Sequence, residues 1–150
     1  MMWRVSETAF TQMNSYLAAR STEGGHLSDQ VAEALRAARE DAVENGTPAP
    51  SPVVGDLLTV LAAAAPNASQ GAVAVTPAAG VVGLHLLAGL PEKATMTCIE
   101  PEAALQAGAK EAVRNAGFSP SRVRFLTARP LEVMGRLAND AYQIVYADVS

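Results

Sequence analysis

The stretch Gly71–Leu90, GAVAVTPAAGVVGLHLLAGL, constrains the fold of this chain more than any other part. It begins with a short β-branched run, breaks at Pro77 and passes through small residues into an apolar run with helical spacing. A strand, a tight small-residue loop and a helix form the start of a βαβ nucleotide-binding unit, whose loop and helix N-terminus face a ligand. A full fingerprint has three glycines, whereas only Gly80 and Gly83 remain here. The stretch therefore predicts this unit, with a loop that is poor in glycine.

Predicted strands and helices alternate through the rest of the chain. Connections of this kind are right-handed, and they build a parallel sheet that is covered by helices on both faces. The predicted fold class is therefore α/β, with the Rossmann-like strand order 3-2-1-4. The predicted strands are 72–76, 94–100, 122–127 and 142–149, and the predicted helices are 6–20, 28–44, 52–65, 80–89, 101–116 and 130–138.

The chain divides into two parts on either side of a Pro-rich connector, TPAPSP, at 47–52. Residues 1–46 hold two predicted helices with narrow apolar stripes, which either cap the domain or form a dimer contact. Residues 47–150 hold the Rossmann-like domain. The sequence alone does not separate the two roles of the first part.

Composition excludes several classes of function. At 150 residues the chain has the size of one domain, and 17% charged residues with 49% hydrophobic residues argue against disorder. The net charge of -4 argues against binding to nucleic acid or to an anionic membrane. A single cysteine, Cys98, excludes an internal disulfide and fits a reducing compartment. With no secretory leader or membrane span recognised, we expect a cytoplasmic protein.

The last predicted strand raises a difficulty. The order 3-2-1-4 places strand 142–149 at an edge, yet its Ile144, Val145 and Tyr146 are typical of an interior strand. A bare apolar edge promotes aggregation. Either the sequence is a fragment of a longer chain, which we favour, or something else covers that edge.

In this order of elements, the chain resembles the class I S-adenosylmethionine-dependent methyltransferases. It is most similar to the catechol and caffeoyl-CoA O-methyltransferase type, in a divergent actinobacterial branch. The likeness covers residues 28–150, and that family continues with three further strands, which agrees with the fragment hypothesis. The segments that carry it are SPVVGDLLTVLA, AVAVTPAAGVVGLHLL, IEPEAALQAGAKEAVRNAGF, SRVRFLTARPLEVMGRL and YQIVYAD.

The resemblance implies S-adenosylmethionine as the cofactor and assigns positions to it. The first motif falls on Ala74 to Gly80, where an acid and two glycines of the family are replaced. The ribose-binding acid of the family falls on Cys98, while Glu100 at the strand tip reaches the ribose if the register differs by two. The implied cofactor-binding residues are Val75, Thr76, Ala78, Gly80, Cys98, Glu100 and Arg129, the last at the adenine-side position.

Asp148 is the one catalytic residue that the resemblance implies. In metal-dependent members of the family the matching acid binds magnesium, so Asp148 is also the candidate Mg²⁺ ligand. Its partner ligands come from a later strand that this sequence does not contain.

Each of these assignments has a plain structural alternative. The loop Thr76–Gly80 could be an ordinary strand–helix connection, and Glu100 could be an acid favoured by the dipole of the following helix. His85 is interpreted as a tolerated helix residue rather than a catalytic base. Cys98 is interpreted as a buried strand residue, because no His and acid stand ready to activate it.

Three functional hypotheses follow. The first is an O-methyltransferase that acts on a small hydroxylated acceptor and forms a homodimer. The second is a non-catalytic descendant that keeps the fold for dimerisation or partner binding, which the missing acid and glycines favour. A dinucleotide-dependent oxidoreductase ranks last, because it needs more phosphate-binding glycines than this loop has.

Overall fold

The computed structural model describes residues 11–12, 27–65, 71–137 and 142–148. Residues 11–12 are helical, and the rest of the predicted helix 6–20 lies outside the described residues. Elsewhere the predicted elements are confirmed, most of them one or two residues shorter. Helices α1 to α5 span Asp29–Glu44, Pro52–Ala64, Ala79–Gly89, Ala103–Asn115 and Pro130–Leu137, and strands β1 to β4 span Ala72–Val75, Met96–Ile99, Val123–Leu126 and Ile144–Ala147.

The four strands form one sheet in the order β3-β2-β1-β4, and every neighbouring pair is parallel. In the central register, Ala74 of β1 lies between Cys98 of β2 and Tyr146 of β4. The predicted fold class and strand order are therefore confirmed.

Serine caps explain where the first two helices begin. The Ser28 hydroxyl accepts a hydrogen bond from the Val31 amide at 3.2 Å, and the Ser51 hydroxyl accepts one from the Val54 amide at 3.3 Å. Each cap satisfies an amide that has no partner within its helix. Helix α1 ends where Gly46 adopts a positive φ of 64°.

The sheet separates two apolar clusters, so helices lie on both of its faces. The larger cluster joins Ala74 and Cys98 to α1, α2, α3 and α4, and α3 contacts both β1 and β2. The smaller cluster joins Val75 and Ile99 to Val133 of α5. Because successive residues of a strand point to opposite faces, β1, β2 and β3 each contribute side chains to both clusters.

Strand β4 lies at an edge and is exposed on one side. Ile144 and Tyr146 pack against the larger cluster, whereas the Val145 side chain is 58% exposed. Strand β4 is thus an edge strand among the described residues, as the predicted order requires. In the described ranges no helix combines the length and the hydropathy that a bilayer crossing requires.

Candidate cofactor edge and adjoining cleft

The carboxyl ends of the four parallel strands meet at one edge of the sheet, which is where ligands bind in open α/β folds. The loop after β1 contributes Thr76, and β2 is followed directly by Glu100. The turn after β3 carries Arg129, and Asp148 follows β4. The fold thus brings four of the predicted site residues to the same edge.

The loop after β1 is held by one of its own side chains. Thr76 is 1% exposed, and its hydroxyl accepts a hydrogen bond from the Ala78 amide at 3.1 Å. Among the described residues outside glycine, none has a positive φ. Threonine and alanine therefore occupy this loop without the backbone strain that a glycine-specific conformation would impose.

Gly80 has a packing role at the start of α3. A Cβ placed at this glycine would lie 3.5 Å from the Ala38 side chain of α1 and 3.4 Å from that of Ala112 on α4. Both distances are ordinary van der Waals contacts, so Gly80 lies packed between α1 and α4. The N-cap residue Ala78 has no side chain that caps α3, so the first amides of this helix lack that partner.

Glu100 stands at the tip of β2 with part of its carboxylate uncommitted. Its amide donates to the Leu126 carbonyl at 3.1 Å, which fixes it to the end of β3. One carboxylate oxygen, Oε1, accepts a hydrogen bond from the Glu102 amide at 3.0 Å. The described residues provide no partner for the second oxygen, so Glu100 can accept hydrogen bonds from a pair of ligand hydroxyls.

Cys98 is buried in the core and does not reach the edge. The residue is 0% exposed, and a Cβ placed at Gly83 of α3 would lie 3.9 Å from its Sγ. Burial raises the pKa of the thiol to about 12. Its interpretation as a buried strand residue is confirmed, and the prediction that it binds a cofactor is not supported. Glu100, two residues after Cys98, stands just beyond the end of β2.

Val75 and Asp148 join the ends of β1 and β4. The Asp148 amide donates to the Val75 carbonyl at 2.8 Å, so the backbone of Asp148 is held at the end of β1. Burial raises the pKa of the neighbouring Tyr146 hydroxyl, and the negative charge of Asp148 raises it further. In the described part of the chain, no three His, Cys, Asp or Glu side chains form a metal-binding group.

Arg129 is exposed beyond the end of β3. Its backbone carbonyl accepts a hydrogen bond from the Glu132 amide at 3.1 Å in the first turn of α5. The guanidinium is therefore available to stack on a flat ring at this side of the edge.

A cleft adjoins the loop after β1, and the sequence analysis did not anticipate it. It encloses about 400 Å³, including the part open to solvent. No local sequence pattern distinguishes the last turn of α1, which contributes Asp41, from the rest of that helix. The cleft is lined by Ala38, Asp41, Ala42, Asn45, Thr47, Pro77, Ala78, Gly80, Val81, Ala104, Leu105, Gly108 and Ala109.

Gln106 of α4 is a second residue that the sequence analysis missed. It is 1% exposed, and its Nε2 donates to the Cys98 carbonyl at 3.2 Å and to the Leu126 carbonyl at 3.1 Å. Because Leu126 also accepts from the Glu100 amide, Gln106 helps to hold the β2 tip in place. In the sequence, the signal for this role is a single glutamine at a helix position that faces the core.

His85 lies in the helix layer rather than at the edge. It is 2% exposed, and burial together with the charge of Arg39 lowers its pKa to about 4. Its interpretation as a helix residue rather than a catalytic base agrees with this position.

Comparisons with known proteins identify relatives of the chain. No protein-family model matches it. It is 41% identical over 125 residues to a protein of Mycobacterium sp. (strain JLS) named "Putative O-methyltransferase", an alignment that covers 82% of this chain and 56% of the relative. A protein of Mycolicibacterium vanbaalenii with the same name is 42% identical over 116 residues, covering 77% of this chain and 50% of the relative. The chain thus spans about half the length of these curated relatives.

Solved structures of similar fold include O-methyltransferases. A protein from Corynebacterium glutamicum is 52% identical, with a TM-score of 0.77 and coverage of 95% of this chain and 62% of that chain. The O-methyltransferase TomG from Streptomyces achromogenes, solved in complex with SAM, has a TM-score of 0.71 over 97% of this chain and 63% of its own. At 23% identity, the likeness to TomG supports the fold alone.

The sheet order and the structural neighbours define the class: this is a Rossmann-like class I methyltransferase fold. Within that class, the chain is a relative of the actinobacterial proteins named as O-methyltransferases, and the resemblance stated from the sequence is confirmed.

Proposed function

We propose that the chain is part of an S-adenosylmethionine-dependent O-methyltransferase that methylates a small hydroxylated acceptor. The observation that carries the proposal is the position of Glu100 at the tip of β2, with one carboxylate oxygen uncommitted, in a chain with O-methyltransferase relatives. Because the chain covers 56% of the first relative, substrate and activity are proposed here for the whole protein.

The residues at the edge fit the proposed cofactor. Glu100 would accept hydrogen bonds from the ribose hydroxyls, and Arg129 would stack on the adenine ring. The loop of Val75, Thr76, Ala78 and Gly80 provides backbone against the methionine part, since it holds no bulky side chain that fills this space. Cys98 has no place in this proposal, because its side chain is enclosed in the core.

Methyl transfer depends mainly on how the acceptor and the methyl donor are oriented toward each other. The bound cofactor supplies an electrophilic methyl group on its sulfonium sulfur. This edge would orient the acceptor oxygen toward that methyl group, which would lower the entropic part of the barrier. Asp148, beside the end of β1, would accept the acceptor's hydroxyl proton as the oxygen–methyl bond forms and the sulfur–methyl bond breaks, leaving S-adenosylhomocysteine.

We further propose that Asp148 contributes to a Mg²⁺ site in the complete protein. Carboxylate oxygens are the ligands that Mg²⁺ prefers, and the ion would lower the pKa of an acceptor hydroxyl. An activity that survives EDTA unchanged contradicts the metal role and leaves Asp148 as a base alone.

A homodimer is part of the proposal, with α2 as the contact. Helix α2 is apolar on nearly all sides, and such a helix is normally enclosed. Its outer face leaves Val54 42% and Leu61 49% exposed. Residues 1–46 remain proposed as an N-terminal helical part that either caps the domain or adds to this contact. A Leu61→Asp variant that elutes at the same mass as the unchanged chain contradicts the α2 interface.

We also propose a cytoplasmic protein with no nucleic-acid partner. The net charge of -4 and the single cysteine support this proposal. Detection of the protein in the medium of the producing cells, or retention of the purified chain on immobilised DNA at physiological salt, contradicts it.

The direct test is calorimetry with S-adenosylhomocysteine, followed by methyl transfer from labelled S-adenosylmethionine to catechol. We expect S-adenosylhomocysteine to bind at concentrations that calorimetry can measure. We also expect labelled methylated product, and less of it from an Asp148→Asn variant. Absence of binding at millimolar ligand removes the proposal and leaves a non-catalytic descendant. Binding without transfer to any hydroxylated acceptor contradicts the activity while retaining the cofactor site.

A further inference from the structure

The cleft beside the loop after β1 carries one ionisable side chain, Asp41 of α1. All the other described residues that line it are apolar or neutral, with Asn45 and Thr47 supplying the polar groups. A cleft with one fixed negative charge favours an occupant that carries a positive charge.

The Asp41 carboxylate is available to such an occupant. The Asp41 backbone carbonyl accepts the Asn45 amide at 3.0 Å, but its side chain forms no hydrogen bond or ion pair with the described residues. This differs from Glu33 and Glu40 on the same helix, since Arg36 is paired with both of those carboxylates. Arg36 therefore does not neutralise the charge in the cleft.

Close helix packing brings Asp41 to the loop. Ala38 approaches the Cα of Gly80, where an added Cβ would lie 3.5 Å away. Asp41 follows Ala38 by three residues, so both lie on the same face of α1. Arg39 anchors the same turn by donating to the Pro50 carbonyl at 2.6 Å and to His85 at 3.0 Å. The carboxylate is thus carried by a turn of helix that is fixed against the domain.

We infer that Asp41 binds the ammonium group of the methionine part of the methyl donor. The inference rests on the proposed function, because it takes that cofactor's amino-acid end as the cationic group that enters the cleft. The loop residues that share the cleft are Pro77, Ala78 and Gly80, which hold no charge of their own. A charge-assisted hydrogen bond from α1 then compensates for a loop that offers only backbone and small side chains.

The test compares two ligands by calorimetry on the 150-residue chain. S-adenosylhomocysteine has the ammonium group, and 5′-methylthioadenosine lacks the whole amino-acid end. We expect Asp41→Asn to weaken S-adenosylhomocysteine binding by roughly 10-fold and to leave methylthioadenosine binding within about 2-fold. If Asp41 acted on the ligand's carboxylate instead, Asp41→Asn would strengthen binding, because it would remove the repulsion between two negative charges.

Asp29→Asn is the matched control, since it removes the same charge from the same helix about 18 Å away along the axis. It should change neither affinity. Equal weakening of both ligands by Asp41→Asn, or no weakening of either, overturns the inference while the proposed function stands. Failure of the unchanged chain to bind S-adenosylhomocysteine overturns the proposed function together with it.

Discussion

Arg39 donates a hydrogen bond from its guanidinium to Nε2 of His85, 3.0 Å away, and so joins α1 to α3. Since arginine can only donate, Nε2 accepts and the ring proton lies on Nδ1, 3.4 Å from the Thr59 hydroxyl of α2. That hydroxyl also donates to the His85 backbone carbonyl at 2.7 Å. A neutral imidazole therefore joins three helices behind the loop after β1.

The first prediction concerns pH. The pKa of His85 falls from 6.5 to about 4 on folding, because burial and the charge of Arg39 both disfavour the imidazolium. His85 of the unfolded chain therefore binds a proton near pH 6.5, whereas His85 of the folded chain stays neutral until the pH falls to about 4. Stability from this source is fully present above pH 6.5 and is lost as the pH falls towards about 4. The loss in the free energy of unfolding is about 3 kcal/mol.

Urea denaturation between pH 7 and pH 4.5 measures this effect. Carboxylates contribute to the same range, so the comparison is with His85→Gln, which should have a visibly flatter dependence. Parallel curves for the two proteins contradict the prediction.

The second prediction concerns Gly55, which faces the His85 ring. A Cβ built at Gly55 overlaps that ring, so Gly55→Ala should lower the free energy of unfolding by about 1–3 kcal/mol. Gly135 on α5 has open space around it, and Gly135→Ala should raise stability by up to about 1 kcal/mol through helix propensity. Thermal denaturation of both variants gives the sign. Equal shifts in the two would show that His85 moves aside freely.

The third prediction uses Gln106, whose amide nitrogen lies against two backbone carbonyls. Gln106→Glu places a carboxylate against those oxygens in a buried site, which should cost about 3 kcal/mol or more at pH 7. Gln30→Glu is the control, because Gln30 donates to the Asn115 carbonyl at an exposed position. That change should cost less than about 1 kcal/mol. Chemical denaturation distinguishes the two, and similar losses would refute the role of burial.

The fourth prediction concerns Glu100. Glu100→Gln keeps an oxygen for the Glu102 amide but removes the charge offered to the ribose hydroxyls. We expect S-adenosylhomocysteine to bind roughly 10-fold to 100-fold more weakly by calorimetry. Glu111→Gln, on the exposed side of α4, should leave the affinity unchanged. An unaltered affinity in Glu100→Gln removes Glu100 from the cofactor site.

The fifth prediction concerns the single thiol. Because burial raises the pKa of Cys98 to about 12 and encloses its sulfur, an aromatic disulfide reagent should not react with the folded chain. Full reaction is expected in guanidinium chloride. Rapid labelling of the folded protein at pH 8 would contradict the buried position of Cys98.

The sequence by itself determined the order of elements, the parallel sheet and the helix starts near residues 28 and 52. These follow from signals within a few neighbouring residues, namely hydrophobic periodicity and capping chemistry. The sequence also indicated the edge that holds Glu100 and Asp148, because parallel strands all end on the same side.

Only the tertiary structure decided which strand residue reaches that edge and what lies next to it. Residues 98 and 100 would share a face of an unbroken strand, and it is the end of β2 at Ile99 that separates Glu100 from the buried Cys98. Asp41 and Gly80, about 40 positions apart in the chain, line the same cleft because α1 packs against the start of α3. A cleft made by segments so far apart leaves no local pattern, since its shape depends on contacts that form when the chain folds.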